Sequence, residues 1–179
     1  MLQSGAQLFQ RRGVSGTSFA DVLQHSGAPR GSVYHHFPGG REQFAGEATA
    51  LAGDFFAQAL RGHSGDLHEL ADAQVDAWVH VLTDSDFAAG CPIAAGAVEG
   101  VLTPTARDAA GHTFEQWTTI LSDRFAERGV AVEEADSLAL LVVSAIEGAL
   151  LLCRARRDTK ALEAVRLHLH RLLDEYVSD

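Results

Sequence analysis

Residues 17–37 read TSFADVLQHSGAPRGSVYHHF, and the fold turns on this stretch. Ser18 and Asp21, three residues apart, form a capping-box start for a helix that stops at Ser26-Gly27. Pro29 suits the first position of a following helix, because its missing N–H would have no partner there anyway. That second helix ends before Pro38-Gly39-Gly40. Two short helices joined by a tight glycine turn have the spacing of a helix-turn-helix, whose second helix enters the major groove of DNA.

A helical wheel of about 100° per residue assigns faces to the second helix. Pro29, Val33 and Phe37 share one side and are expected to pack inward, with His36 nearer that side. Gly31 and His35 stand opposite, flanked by Arg30, Ser32 and Tyr34. Arg30 and His35 can donate to guanine or phosphate, and Tyr34 can donate to phosphate or lie on a thymine methyl. Gly31 lets the backbone approach base edges. Thr17 and Ser18 combine hydroxyls with free N–H groups at a helix start and suit a phosphate. Arg41, just past the turn, is placed to clamp the DNA backbone. The same features also fit an ordinary helical corner with a solvated surface.

Upstream, Leu2, Ala6 and Phe9 recur at helical spacing and Gly13 ends a first helix. Downstream, turn signals divide the chain into a long helix from Arg41 to Arg61 and a helix capped by Asp66 that ends at Asp84. A short helix near Ile93–Val101 follows Gly90-Cys91-Pro92, then a long one from Pro104 to Glu127. Two final helices are expected over Glu133–Ala155 and Asp158–Val177. The fold class is therefore all-α, about nine helices, with a three-helix head over 1–47 and a larger body over 48–179.

Charge agrees with contact at one end. The formal net charge is −10, which excludes a general nucleic-acid coat, yet the four Arg of residues 1–47 outnumber its three carboxylates. Cys91 and Cys153 form no CxxC pattern and read as buried reduced thiols of a cytoplasmic protein. The most apolar stretch, Leu138 to Cys153, is short for a bilayer and contains Glu147, so no membrane role is expected.

Gly27-Ala28-Pro29-Arg30-Gly31-Ser32-Val33-Tyr34-His35-His36-Phe37, then Arg41-Glu42-Gln43-Phe44, resembles the signature of the tetracycline-repressor (TetR) family. Ala6, Phe9, Gly13 and Thr17-Ser18-Phe19 match that family's first two helices. Gly90-Cys91-Pro92-Ile93 and the extra glycine after Pro38 are similar to its LmrA/YxaF-type branch. The resemblance implies a homodimer with DNA-reading heads and a body that binds a small effector. It assigns the DNA contacts to Thr17, Arg30, Ser32, Tyr34, His35 and Arg41. Family members usually carry basic residues before the position of Leu2. Here Met1 stands within the first helix, so the expectation is either a truncated start or weaker affinity for DNA.

The body offers two further sets of residues. Leu138, Val142, Ala145, Ala149 and Leu152 form one stripe, and Leu162, Val165, Leu169, Leu172 and Tyr176 another. Either a monomer core or a four-helix dimer seam uses such stripes, and the resemblance favours the seam. Arg154, Arg156 and Arg157 at the end of the first of these helices read as solvated and dipole-stabilising. Phe55, Trp78, Leu82, Cys91, Ile93, Phe114, Trp117 and Leu121 are the candidate lining of an apolar effector pocket, or simply core.

No catalytic constellation, phosphate-cradling glycine loop or HExxH is present, and no cofactor is expected. His168 and His170 diverge by about 200° and cannot chelate one ion, and nothing beside His63 and His68 in sequence completes a ligand set. The function implied is a DNA-binding regulator. The alternatives are a ligand-binding helical module without DNA binding, or a small helical enzyme.

Overall fold

The computed structural model describes residues 1–99 and 102–176, and among them all regular structure is helical. The order is α1 (Leu2–Arg12), α2 (Phe19–Ser26), α3 (Ser32–His36), α4 (Gly40–Gly62), α5 (Leu67–Asp84), α6 (Pro92–Val98), α7 (Pro104–Ala126), α8 (Val132–Arg156) and α9 (Lys160–Tyr176). Most ends fall within a residue or two of those expected. The expected ends at Val101 and Val177 lie outside the described residues.

Two compact units emerge. The first comprises Met1–Phe56 and Cys91–Phe114, the second Ala57–Gly90 and Glu115–Asp179. Contacts therefore draw a different line from the division at residue 47, because α6 and the first part of α7 pack with the head. Glu99 accepts from the Ser15 backbone N–H, and the Thr105 hydroxyl donates to the Glu42 carbonyl.

Leu8, Phe9, Val14, Val22, Phe37, Phe44, Ala45, Ala48 and Ala106 form the core of the first unit. Phe44 is its hub. Its ring meets Phe37, Phe19 and Phe9 edge-on, at centroid separations of 5.0, 5.3 and 6.1 Å. Such edge contacts add about 0.5–1.5 kcal/mol each to the burial itself. α1 crosses this ring at Gly5, where a Cβ would stand 2.5 Å from Phe44 Cζ. Gly27 ends α2 at φ 69°, the left-handed conformation that glycine adopts without steric cost.

In the second unit α5, α8 and α9 pack together. Asp66 caps α5 through a capping box with Glu69. Buried residues of the three helices include Trp78, Leu82, Leu138, Val142, Cys153, Leu162 and Leu169. Arg124 on α7 donates to the Leu60 and His63 carbonyls, satisfying groups at the end of α4.

The arginines after α8 are not simply solvated as the sequence suggested. Arg154 donates to the Ala88 carbonyl, and Arg157 to the Asp86 carboxylate at 2.7 Å. Both brace the loop after α5, where Asp86 and Phe87 hold positive φ of 52° and 60°. Two non-glycine residues in that region cost roughly 1–2 kcal/mol each, and the two arginines hold the loop in that conformation.

Candidate nucleic-acid interface

Three polar contacts set the helix-turn-helix. The Ser18 hydroxyl accepts from the Asp21 N–H, and the Asp21 carboxylate accepts from the Ser18 N–H at 2.9 Å. Arg12 at the end of α1 reaches Asp21 at 3.0 Å and joins the two helices. The Ser18 hydroxyl and N–H, and then the Arg12 charge, hold the Asp21 carboxyl below its ordinary range. Arg12 was not singled out from sequence. Its position nine residues before an acidic cap residue carries no local signal.

Thr17 does not face outward. It is 4% exposed, and its hydroxyl donates to the Gly13 carbonyl at 2.8 Å, closing the turn between α1 and α2. Arg41 is exposed, but one of its guanidinium nitrogens donates to the Val14 and Ser15 carbonyls, each at 2.8 Å. It fastens the same turn to the start of α4. Both residues, expected on phosphate, thus act on the frame that presents α3. Ser18 is exposed at the α2 start while serving the cap.

α3 begins at Ser32, three residues later than its proline suggested. The Ser32 N–H bonds back to the Pro29 carbonyl, leaving Arg30 and Gly31 in a turn. Pro29 is accordingly exposed rather than buried, and only Val33 and Phe37 anchor the segment. His36 is also exposed, contrary to the wheel, with its ring edge-on to His35 at 5.2 Å. A wheel started at Pro29 fails because the first residues are not helical.

What remains is an outward array. Arg30, Gly31, Tyr34, His35 and His36 are all exposed, with Ser32 half-buried and donating to the Pro29 carbonyl. Tyr34 is 85% exposed. A Cβ at Gly31 would meet nothing within 4 Å, so packing within the chain does not require glycine there.

Comparison with known proteins places this array. Residues 1–48 match the bacterial regulatory proteins of the tetR family, and residues 69–168 match the C-terminal domain of LmrA/YxaF-like transcriptional regulators. The HTH-type transcriptional regulator Rv0196 of Mycobacterium tuberculosis H37Rv is 43% identical over 97% of this chain and 92% of its own. The chain belongs to the TetR family. It is a helix-turn-helix transcriptional regulator, as the sequence implied. LmrA of Bacillus subtilis is 27% identical to this TetR regulator over 90% of the chain and 88% of its own length. A TetR regulator of Legionella pneumophila shares the fold with a TM-score of 0.85, at 25% identity, covering 96% of this chain and 94% of that one.

The candidate pocket residues of the regulator divide between its units. Trp78, Leu82, Trp117 and Leu121 are buried in the second unit, and Cys91 and Ile93 in the first, where Phe114 is half-buried. Phe55 is 70% exposed and lines no interior of this chain. Cys91 and Cys153 are buried free thiols, and the Cys91 sulfur accepts from the Ala94 N–H at the start of α6.

The stripes expected at a dimer seam lie mostly inside the chain. Leu138, Val142 and Ala149 of α8, with Leu162 and Leu169 of α9, are buried within the chain. Ala145, Val165 and Leu172 are half-buried, and only Leu152 and Tyr176 are exposed. The Tyr176 hydroxyl bonds Glu134, which raises its pKa. The outward face of α8 carries Leu140, Leu141 and Leu151 beside Leu152 of that stripe. α8 is long and apolar enough to cross a membrane by length and composition, but its opposite side packs on α5 and α9.

Proposed function

We propose that this TetR regulator is a repressor that binds a pseudo-palindromic operator as a homodimer, reading the major groove with Arg30, Gly31, Tyr34, His35 and His36. The observation that carries the reading is Tyr34, an aromatic side chain held 85% exposed on a five-residue helix. An aromatic left in water stabilises nothing within the chain, and it suits a surface that completes itself on DNA. Gly31, open on its outer side, leaves room for backbone to approach bases. Sequence-dependent binding to the DNA upstream of its own gene, measured by fluorescence anisotropy across a salt series, is the expected result. A steep salt slope marks the phosphate contacts. Equal affinity for scrambled DNA of the same length would overturn it.

The second copy is taken up on the outward face of α8. Leu140, Leu141, Leu151 and Leu152 lie along one side with Ser144 and Gly148 between them, so a partner helix can approach closely. Release by a small apolar effector is the remaining part of the reading. α4 runs unbroken from Gly40 to Gly62, and a ligand acting through it must favour the released state by roughly 10⁴-fold to switch occupancy fully. The buried aromatics Trp78 and Trp117 are the first residues to probe, by tryptophan quenching against a panel of flat apolar compounds.

A further inference from the structure

His68 on α5 and His170 on α9 are 102 residues apart in sequence, yet their Nδ1 atoms stand 3.1 Å from each other. The other nitrogen of each ring faces a carboxylate. His170 Nε2 lies 2.9 Å from Asp72, and His68 Nε2 lies 3.4 Å from Asp174. An ionised carboxylate only accepts, so His170 Nε2 carries the hydrogen toward Asp72 and His170 Nδ1 presents a lone pair to His68. That lone pair is met by a hydrogen on His68 Nδ1 or, where His68 turns its hydrogen on Nε2 toward Asp174, by a cation shared between the two rings.

The spacing fits a metal ion. Two nitrogens on one tetrahedral ion with bonds of 2.0–2.1 Å stand about 3.3 Å apart, so a small opening of the pair suffices. A carboxylate behind each imidazole is the arrangement that orients metal-binding histidines and makes them better donors. The surroundings favour a cation as well. Asp72, Asp76 and Glu163 all bond Arg166, and with Asp174 these carboxylates outnumber that guanidinium.

We propose that His68 and His170 bind a divalent transition-metal ion of the zinc class through their facing Nδ1 atoms, with water or an added ligand completing the coordination. The ion fastens the start of α5 to the last turns of α9. Among the described residues no group of three or more ligating side chains gathers, so the site is an open two-histidine one. Imidazole donors select zinc, cobalt or nickel over magnesium and calcium. This site is separate from the DNA-reading surface and does not depend on it.

The test is calorimetric titration of tag-free protein with Zn²⁺. One ion per chain is expected, with no binding of Mg²⁺. His68→Ala and His170→Ala each abolish that binding, Asp174→Asn weakens it roughly tenfold, and His168→Ala on the exposed side of α9 leaves it unchanged. Cobalt bound in place of zinc gives visible d–d bands without a thiolate charge-transfer band, which separates this site from the two cysteines. Helix content by circular dichroism confirms that each variant is folded, and His170→Gln provides a second variant that retains a polar side chain. A wild-type protein that does not take up zinc, or a folded variant of either histidine that binds it as tightly, overturns the proposal. The facing pair is then bridged by a proton alone.

Discussion

α3 and α8 sit at opposite ends of legibility. α3 has five residues and one inward side chain, Val33, with Phe37 buried just past its end, and its outward face was found from residue types despite an error in where it starts. α8 has 25 residues and is apolar around most of its circumference, and most of the stripe expected at a dimer seam is buried within the chain. Periodicity informs only where polar residues contrast with apolar ones. A helix that buries one face within the chain and offers another to a second copy has no contrast, so the side must come from tertiary packing.

The largest effect expected separates the two faces of α8. Leu138→Ala, on the inner face, lowers the unfolding free energy by about 2–5 kcal/mol in denaturant titration. Leu151→Arg, on the outer face, leaves helix content intact and shifts sedimentation from dimer to monomer. If Leu151→Arg unfolds the chain while Leu138→Ala is silent, the assignment of faces is reversed.

α3 should respond the other way, in binding and not in stability. Tyr34→Ala and Arg30→Ala are each expected to cost about 1–3 kcal/mol in operator affinity, with stability within about 0.5 kcal/mol of the parent. Loss of melting temperature without loss of binding would make α3 a packing element only. Gly31→Ala sharpens the contrast. With φ of −69° and open space around it, the substitution is tolerated by the fold or gains a few tenths of a kcal/mol, roughly as helix propensity suggests. Operator binding falls all the same, because a methyl group then stands between backbone and bases.

The smallest effect is at the α2 cap. Ser18→Ala is expected to cost about 1 kcal/mol in thermal melts. Asp21 is held below its ordinary range by Ser18, and Asp66 by the Glu69 N–H. A folded value below the unfolded one means that the stability they contribute is full above about pH 4 and is lost as pH falls through the folded values. Ser18→Ala therefore also flattens the acid limb of the melting curve, and an unchanged limb would remove Asp21 from that account.

The sequence carried the helix count, the caps at Ser18 and Asp66, and the outward Arg30, Tyr34 and His35, because each rests on local chemistry. It did not carry contacts between distant residues. Thr17 and Arg41 have the right types for phosphate, yet the Gly13, Val14 and Ser15 carbonyls claim their donors. Arg154 and Arg157 are taken by the loop at 86–88. His68 was set aside beside His63, its neighbour in sequence, while its partner in space is His170. Phe55, an apolar residue read as lining, stands exposed on α4. In each case the residue type was informative and the partner was not.

The crossing of α1 over Phe44 at Gly5 also bears on how this chain can vary. A saturation library at position 5, selected for folded protein, should return glycine alone, because the Phe44 ring is locked by its three aromatic neighbours and has nowhere to move. Randomising positions 5 and 44 together opens a second solution, in which alanine at 5 is accepted only where a smaller side chain replaces the ring. The two positions form one epistatic pair, in which position 5 cannot drift until position 44 has.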